Sequence, residues 1–154
     1  MTKDNKIRPL FFLLCEKTIT DQDSNNMSAM NITEQINVAV SKNQEEARKA
    51  IQEKSFISVP VKLTLLSAWD FDKVPNAFSL ELKISDSNGK NLVDDKKNIE
   101  VNDRSKRRQR VNLIMQAFPV STEGTYTIEE TLTAGEITSI QRTYIDIRAP
   151  FLNE

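Results

Sequence analysis

At 154 residues, 38% hydrophobic and 28% charged with a formal net charge of -1, the chain has the length of one hydrophobic core and no overall field drawing it to nucleic acid or anionic membrane. Histidine is absent and Cys15 is the single cysteine, which removes imidazole bases, Ser-His and Cys-His nucleophile pairs, the commonest transition-metal ligand and any intramolecular disulfide. Only three glycines occur, none in a phosphate-cradling loop, so no catalytic, cofactor-binding or metal-binding residue is assigned.

The first expected element is a strand over 10–16. Lys3, Lys6 and Arg8 ahead of Leu10-Phe11-Phe12-Leu13-Leu14-Cys15 imitate a signal peptide, but Pro9 opens the run and Glu16 and Lys17 close it. The run is also shorter than the roughly 7–15 residues of a signal h-region. A buried first strand in a cytoplasmic protein is the reading, with Cys15 as inert core packing. Asp21-Gln22-Asp23-Ser24-Asn25-Asn26 resembles the opening of a calcium loop, yet Asn26 stands where that loop needs glycine and Ile32 where it needs a bidentate glutamate. A plain turn before a strand over 27–38 is expected instead.

A short helix follows over about 42–54. Ser41 with Gln44 forms a capping-box arrangement, Glu45 and Glu46 lie early and Lys54 late, Glu45 is spaced to meet Lys49, and Ala47, Ala50 and Ile51 make a thin apolar stripe. So thin a stripe docks on sheets and builds no second core. Strand alternation resumes with Val59, Val61, Leu63 and Leu65 on one face; Leu66 and Ala68 make the later part of this run apolar on both sides. Asp70 and Asp72 after it are read as polar loop residues, with a carboxylate-based hydrolase as the enzymatic alternative.

Phe78, Leu80, Leu82 and Ile84 alternate with Ser79, Glu81 and Lys83, and Asp86-Ser87-Asn88-Gly89 supplies the turn chemistry of a hairpin. In the strand expected over 92–101, Asp94-Asp95-Lys96-Lys97 reads as the charge that keeps a sheet edge from aggregating. A strand is expected over 104–118, then a hairpin over 125–133 and 137–147 turning at Gly135-Glu136, with Gly124 as a corner and Tyr126, Ile128 and Leu132 on one face.

These elements predict one all-β domain over 1–154: a two-sheet antiparallel sandwich, immunoglobulin-like, with one short helical insertion. Leu63, Leu65, Phe78, Leu80, Leu82, Leu113, Tyr126 and Ile128 are the expected core.

The local anomaly is Arg104-Ser105-Lys106-Arg107-Arg108-Gln109-Arg110. Extended, it places Arg104, Lys106, Arg108 and Arg110 on one face and Arg107 on the other, a cationic ridge suited to an acidic protein surface or to phosphates. No aromatic residue interleaves with the cations, which disfavours a single-strand nucleic-acid platform. The plain alternative is a solvated segment paired with Glu100 and Asp103.

The pieces Leu14-Cys15-Glu16, Ser28-Ala29-Met30-Asn31-Ile32, Phe56 with Pro60, Asp86 with Gly89, and Phe118-Pro119 followed by Gly124-Thr125-Tyr126 resemble a family of small bacterial β-sandwich proteins catalogued as a domain of unknown function. The helical insertion departs from that pattern. The resemblance implies a bacterial cytoplasmic sandwich with no catalytic residues to carry over. The sequence thus points to a non-enzymatic protein-interaction or structural module without cofactor or membrane association. Its expected partner is a protein with an acidic surface; nucleic-acid binding through 104–110 is the alternative, and self-association stays open.

Overall fold

The alternation of apolar and polar residues becomes nine strands and one helix among the described residues, which in this computed structural model are 5–24, 26–39 and 43–153. Lys3, Asn25 and Ser41 lie outside them. In chain order the elements are β1 (Ile7–Thr20), β2 (Met27–Ile32), β3 (Gln35–Asn37), α1 (Gln44–Lys54), β4 (Ile57–Phe71), β5 (Ala77–Ser85), β6 (Asn91–Glu100), β7 (Arg108–Val120), β8 (Gly124–Ala134) and β9 (Ile137–Arg148), ending in a single 3-10 turn at Pro150–Leu152. Two sheets form, a four-stranded one ordered β2-β1-β4-β7 and a five-stranded one ordered β3-β9-β8-β5-β6. This is an immunoglobulin-like sandwich.

Three expectations about the strands need correction. The strand expected over 27–38 is two strands, because the chain leaves the first sheet after Ile32 and enters the second at Gln35. Once there, β3 pairs with β9 in parallel, Ile36 opposite Ile147, so the second sheet is mixed and not purely antiparallel. The parallel pair is an edge ladder of three residues, made when the first part of the chain switches sheets while the last strand is already flanked by β8. Finally, β7 begins at Arg108 and not at 104, since residues 104–107 are drawn into a turn by Asp103, whose carboxylate accepts the Ser105 backbone N–H at 3.0 Å.

The helix begins at Gln44, capped by Asn43, whose side-chain oxygen accepts the Glu46 N–H at 3.3 Å. Asn43 does what the Ser41 capping box was expected to do, since its short acceptor reaches an orphan N–H of the first turn. No helix residue is buried. What ties the helix down is Arg48, whose Nε and Nη2 donate to the Phe151 carbonyl at 2.9 and 2.7 Å. Lys49 lies 3.9 Å from Glu53, and that is the ion pair seen on the exposed face.

Period-two alternation fills the space between the sheets. Leu63, Leu65, Trp69 and Phe71 from β4 meet Phe78, Leu80 and Ile84 from β5 and Tyr126, Ile128 and Leu132 from β8, all buried. Leu82 and Leu113, expected in the core, are half-buried and pack against its margin. A polar layer divides the interior: Glu130 points inward between Ile128 and Leu132, only 1% exposed. Its Oε1 accepts Trp69 Nε1 at 2.8 Å and Gln141 Nε2 at 3.2 Å. Burial pushes the Glu130 carboxyl above the usual carboxylate range, against the opposing influence of Ser67, Gln141 and Trp69.

At the entry to β8 the Tyr126 hydroxyl turns back to the preceding loop. It accepts the N–H groups of Ser121 and Thr122 at 2.9 and 3.0 Å and donates to the Thr122 carbonyl at 2.9 Å, the tyrosine corner of immunoglobulin-like sandwiches. Asp86 joins that corner to the β5–β6 turn, accepting Asn88 and Lys90 backbone N–H groups on one oxygen and Ser121 Oγ at 2.7 Å on the other. Gly124 has a φ of +126°, and a Cβ there would stand 2.7 Å from Ser87 Cβ; only glycine fits.

Candidate functional site: a basic-rimmed groove on the outer face

The strand β4 is apolar on both sides, so the first sheet has an outer face that water does not satisfy. Antiparallel register lays that face out in rows from β1 through β4 to β7: Phe11–Ala68–Arg110, then Leu13–Leu66–Asn112, then Cys15–Thr64–Ile114. At the near end of the strands Asp70 pairs with Arg8 on one side and Arg108 on the other. The face is therefore graded, with charge at one end and apolar side chains at the other. Ile114 is 74% exposed, Leu10 44% and Phe11 39%.

The β1–β2 hairpin converts this face into a groove. Pairing of β1 with β4 stops at Cys15, and opposite this departure Asn31 adopts a φ of 55° while its Nδ2 donates to Glu16 Oε2 at 2.7 Å. The hairpin then leans across β4, so that Thr18 Oγ1 accepts from Asn112 Nδ2 of β7 at 3.5 Å. Between hairpin and sheet lies a groove of about 970 Å³, within the size range of small-ligand and peptide sites. Leu10, Phe11, Leu13, Leu66 and Ala68 form its apolar floor, Met27 and Ala29 its hairpin wall, and Lys106, Arg107, Arg108 and Arg110 its opposite rim.

The expected ridge is thus only partly assembled. Arg108 and Arg110 occupy alternate positions of β7 and share the outer face with Ala68 and Asp70. Lys106 reaches the same groove from the turn, with its Nζ 3.4 Å from Asp103. Arg104 does not join them. It lies in the turn and lines a separate depression with Ile7, Phe71 and Lys73, because the turn at Asp103 breaks the extended geometry that one shared face requires. Arg107 belongs to the groove after all.

Asp70 and Asp72 converge, but on cations. Arg107 Nη2 is 2.9 Å from Asp70 and 3.3 Å from Asp72, and Arg8 Nη1 is 3.1 and 2.8 Å from the same carboxylates. Arg107 Nε also donates to the Phe71 carbonyl at 3.1 Å. Hydrogen bonds from Arg8 hold the Asp72 carboxyl below the usual range, so at neutral pH it is an anion clamping β1, β4 and the turn before β7. The network fixes the position of Arg107 and the base of the rim.

The remaining sequence candidates fall elsewhere. Asp21 caps its own turn, accepting Ser24 and Asp23 N–H groups at 2.7 and 3.0 Å, and Ser24 holds its carboxyl below the usual range. Asp94, Asp95, Lys96 and Lys97 lie on β6, the edge of the five-stranded sheet, where edge-protecting charge was expected. Cys15 is fully buried, with Sγ donating to the Thr64 carbonyl at 3.7 Å, and burial raises its thiol pKa. The outer-facing Leu10 and Phe11 depart from the reading of a wholly buried first strand. The two-sided apolar stretch at Leu66 and Ala68 was the sequence signal for the groove floor.

No family model and no curated protein matches the sequence. Among solved structures, the C-terminal domain of wzt aligns over 57% of this chain and 60% of its own length, with TM-score 0.41 and 13% identity. A β-glucuronidase from Parabacteroides merdae aligns over 61% of this chain and 13% of its own, with TM-score 0.36 and 14% identity. The chain spans less than two thirds of each, and the architecture described above rests on strand order and register.

Proposed function

We propose that the chain is a non-enzymatic interaction module that holds an acidic segment of a partner protein in the groove beneath the β1–β2 hairpin. The observation that carries this reading is the meeting of an apolar floor with a cationic rim in one concavity: Phe11 and Ala68 share a row with Arg110, and Arg108 stands one position along. Exposed guanidinium groups favour carboxylates by bidentate hydrogen bonding, while aliphatic side chains of the same segment cover Leu10, Leu13 and Leu66. The pairing of Asp70 and Asp72 with Arg8 and Arg107 supports binding over carboxylate hydrolysis, since such catalysis calls for one carboxyl held protonated. A reducing cytoplasm fits the single buried thiol. No helix among the described residues is long and apolar enough to cross a membrane.

Nucleic-acid binding is the second reading, favoured by Phe11 lying in the same row as Arg110, which offers a base an aromatic face beside a cation. Titration of a fluorescein-labelled alternating glutamate–valine dodecapeptide and of a single-stranded oligonucleotide of equal charge separates the two. The peptide is expected to bind more tightly, and Arg108→Glu with Arg110→Glu to abolish its binding without moving the unfolding midpoint. Tighter oligonucleotide binding, with a log-log salt slope that tracks neutralised phosphates, overturns the assignment.

A further inference from the structure

The four-stranded sheet stops one strand short of the sheet it faces. Among the described residues its last strand, β7, is paired only with β4, so one side of its backbone has no ladder partner there. The core-facing side chains at this edge show the shortfall: Leu113 and Met115 of β7 are half-buried, unlike Leu63 and Leu65 opposite them in β4. Across the sandwich, β6 overhangs. Lys97 pairs with buried Leu80 and Asp95 with Leu82, which places both charges on the core face of the sheet. Both remain more than half exposed, at 59% and 55%, as expected of an edge strand that the four-stranded sheet does not reach among the described residues. With four strands facing five, the slot beside β7 corresponds to one missing strand.

We infer that the part of the acidic segment that leaves the groove over Arg108 and Arg110 binds as an added strand on the free edge of β7, one strand spacing beyond the rim and apart from the floor at Leu10, Leu13 and Leu66. Backbone hydrogen bonds would complete the sheet, and two alternating sets of side chains would divide between its faces. The inference rests on the function proposed above and adds a second contact beside the same cationic rim. Alternation dictates the chemistry of each set. On the outer face the added strand passes Arg108, Arg110, Asn112 and Ile114, so its side chains there are acidic toward the start of β7 and apolar toward Ile114. On the inner face it passes Val111, Leu113 and Met115, so the intervening side chains are aliphatic. Asp95 and Lys97 on the floor of the slot leave the middle of that inner set in a wet, charged setting, which disfavours a strand apolar on both sides. An alternating acid–aliphatic strand satisfies both faces; a helical or compact acidic surface satisfies only the cations.

The test uses the full chain and three versions of one alternating glutamate–valine dodecapeptide: unmodified, N-methylated on every odd-numbered residue, and N-methylated on every even-numbered residue. Only one set of alternate N–H groups faces β7, so one methylated peptide should lose binding by at least about tenfold and the other should bind nearly as well as the unmodified peptide. Amide I infrared spectra with a carbon-13 label on the Asn112 carbonyl, which the alternation of the β4–β7 ladder turns toward the free edge, should shift on peptide addition. If both methylated peptides bind like the parent, while Arg108→Glu with Arg110→Glu still abolishes binding, acidic recognition stands and the added strand is refuted. If the double reversal leaves binding intact, the proposed function itself fails. A dimer in sedimentation that the unmodified peptide does not dissociate would put a second copy on the edge and overturn the inference.

Discussion

Replacing Tyr126 by phenylalanine removes one oxygen and nothing else from the corner that joins β7 to β8. The ring stays in place, 5.8 Å from that of Phe118, so no cavity forms and the effect is one of hydrogen bonding alone. The Ser121 N–H is buried and loses its partner at 2.9 Å, which costs about 1–3 kcal/mol as an unsatisfied donor. Thr122 is only half-buried, so its N–H and carbonyl can recruit water, leaving a loss nearer the net value of about 1 kcal/mol. The sum is about 2–4 kcal/mol, or a fall in melting temperature of roughly 4–16 °C for a chain of this length. Urea unfolding measured by tryptophan fluorescence should show the lower midpoint at unchanged m-value. A loss below about 0.5 kcal/mol would refute the reasoning, since it would mean that these buried groups find other partners at no cost.

Truncating Leu80 to alanine, in the cluster with Phe78, Trp69 and Leu132, should cost about 2–5 kcal/mol in the same assay. Gly124→Ala should destabilise by more than about 1 kcal/mol, because the new Cβ meets Ser87 at a positive φ; adding Ser87→Gly should restore only the part due to the clash. Glu130→Gln tests the buried carboxyl through pH. Its folded pKa is raised, so the folded state keeps a proton that the unfolded chain releases above about pH 4, and stability falls as pH rises through the folded value. The glutamine variant should therefore gain on the wild type with rising pH, and a difference that stays constant from about pH 3 to 8 would contradict the buried-acid account.

Strand content and the core face of β4, β5 and β8 were legible because alternation reports burial directly. Phe78, Leu80 and Ile84 are buried where Glu81 and Lys83 are not. Turn chemistry at Gly89 and Gly135 was legible for the same local reason, both glycines having positive φ. The sheet switch at Thr33 and Glu34 was not, since a strand that changes sheets keeps its alternation and alters only its neighbours. The ridge failed at Arg104 because a single Asx turn at Asp103 outweighed strand propensity. Glu130 was overlooked although a charged residue inside the set Tyr126, Ile128 and Leu132 was itself the signal. Its partners Trp69 and Gln141 lie 61 and 11 residues away, beyond what spacing reveals. The groove needed the fold of the β1–β2 hairpin, yet its floor was already written in Leu66 and Ala68.

The central claim is that Arg108 and Arg110 select the charge of what enters the groove, and a charge-swap titration tests it most directly. Wild type and the Arg108→Glu, Arg110→Glu variant are each titrated with alternating glutamate–valine and lysine–valine dodecapeptides by fluorescence anisotropy. The account predicts a crossed result: the wild type binds the glutamate peptide, and the variant loses it while gaining the lysine peptide, each preference being at least about tenfold. Equal binding of the glutamate peptide by both proteins would contradict it.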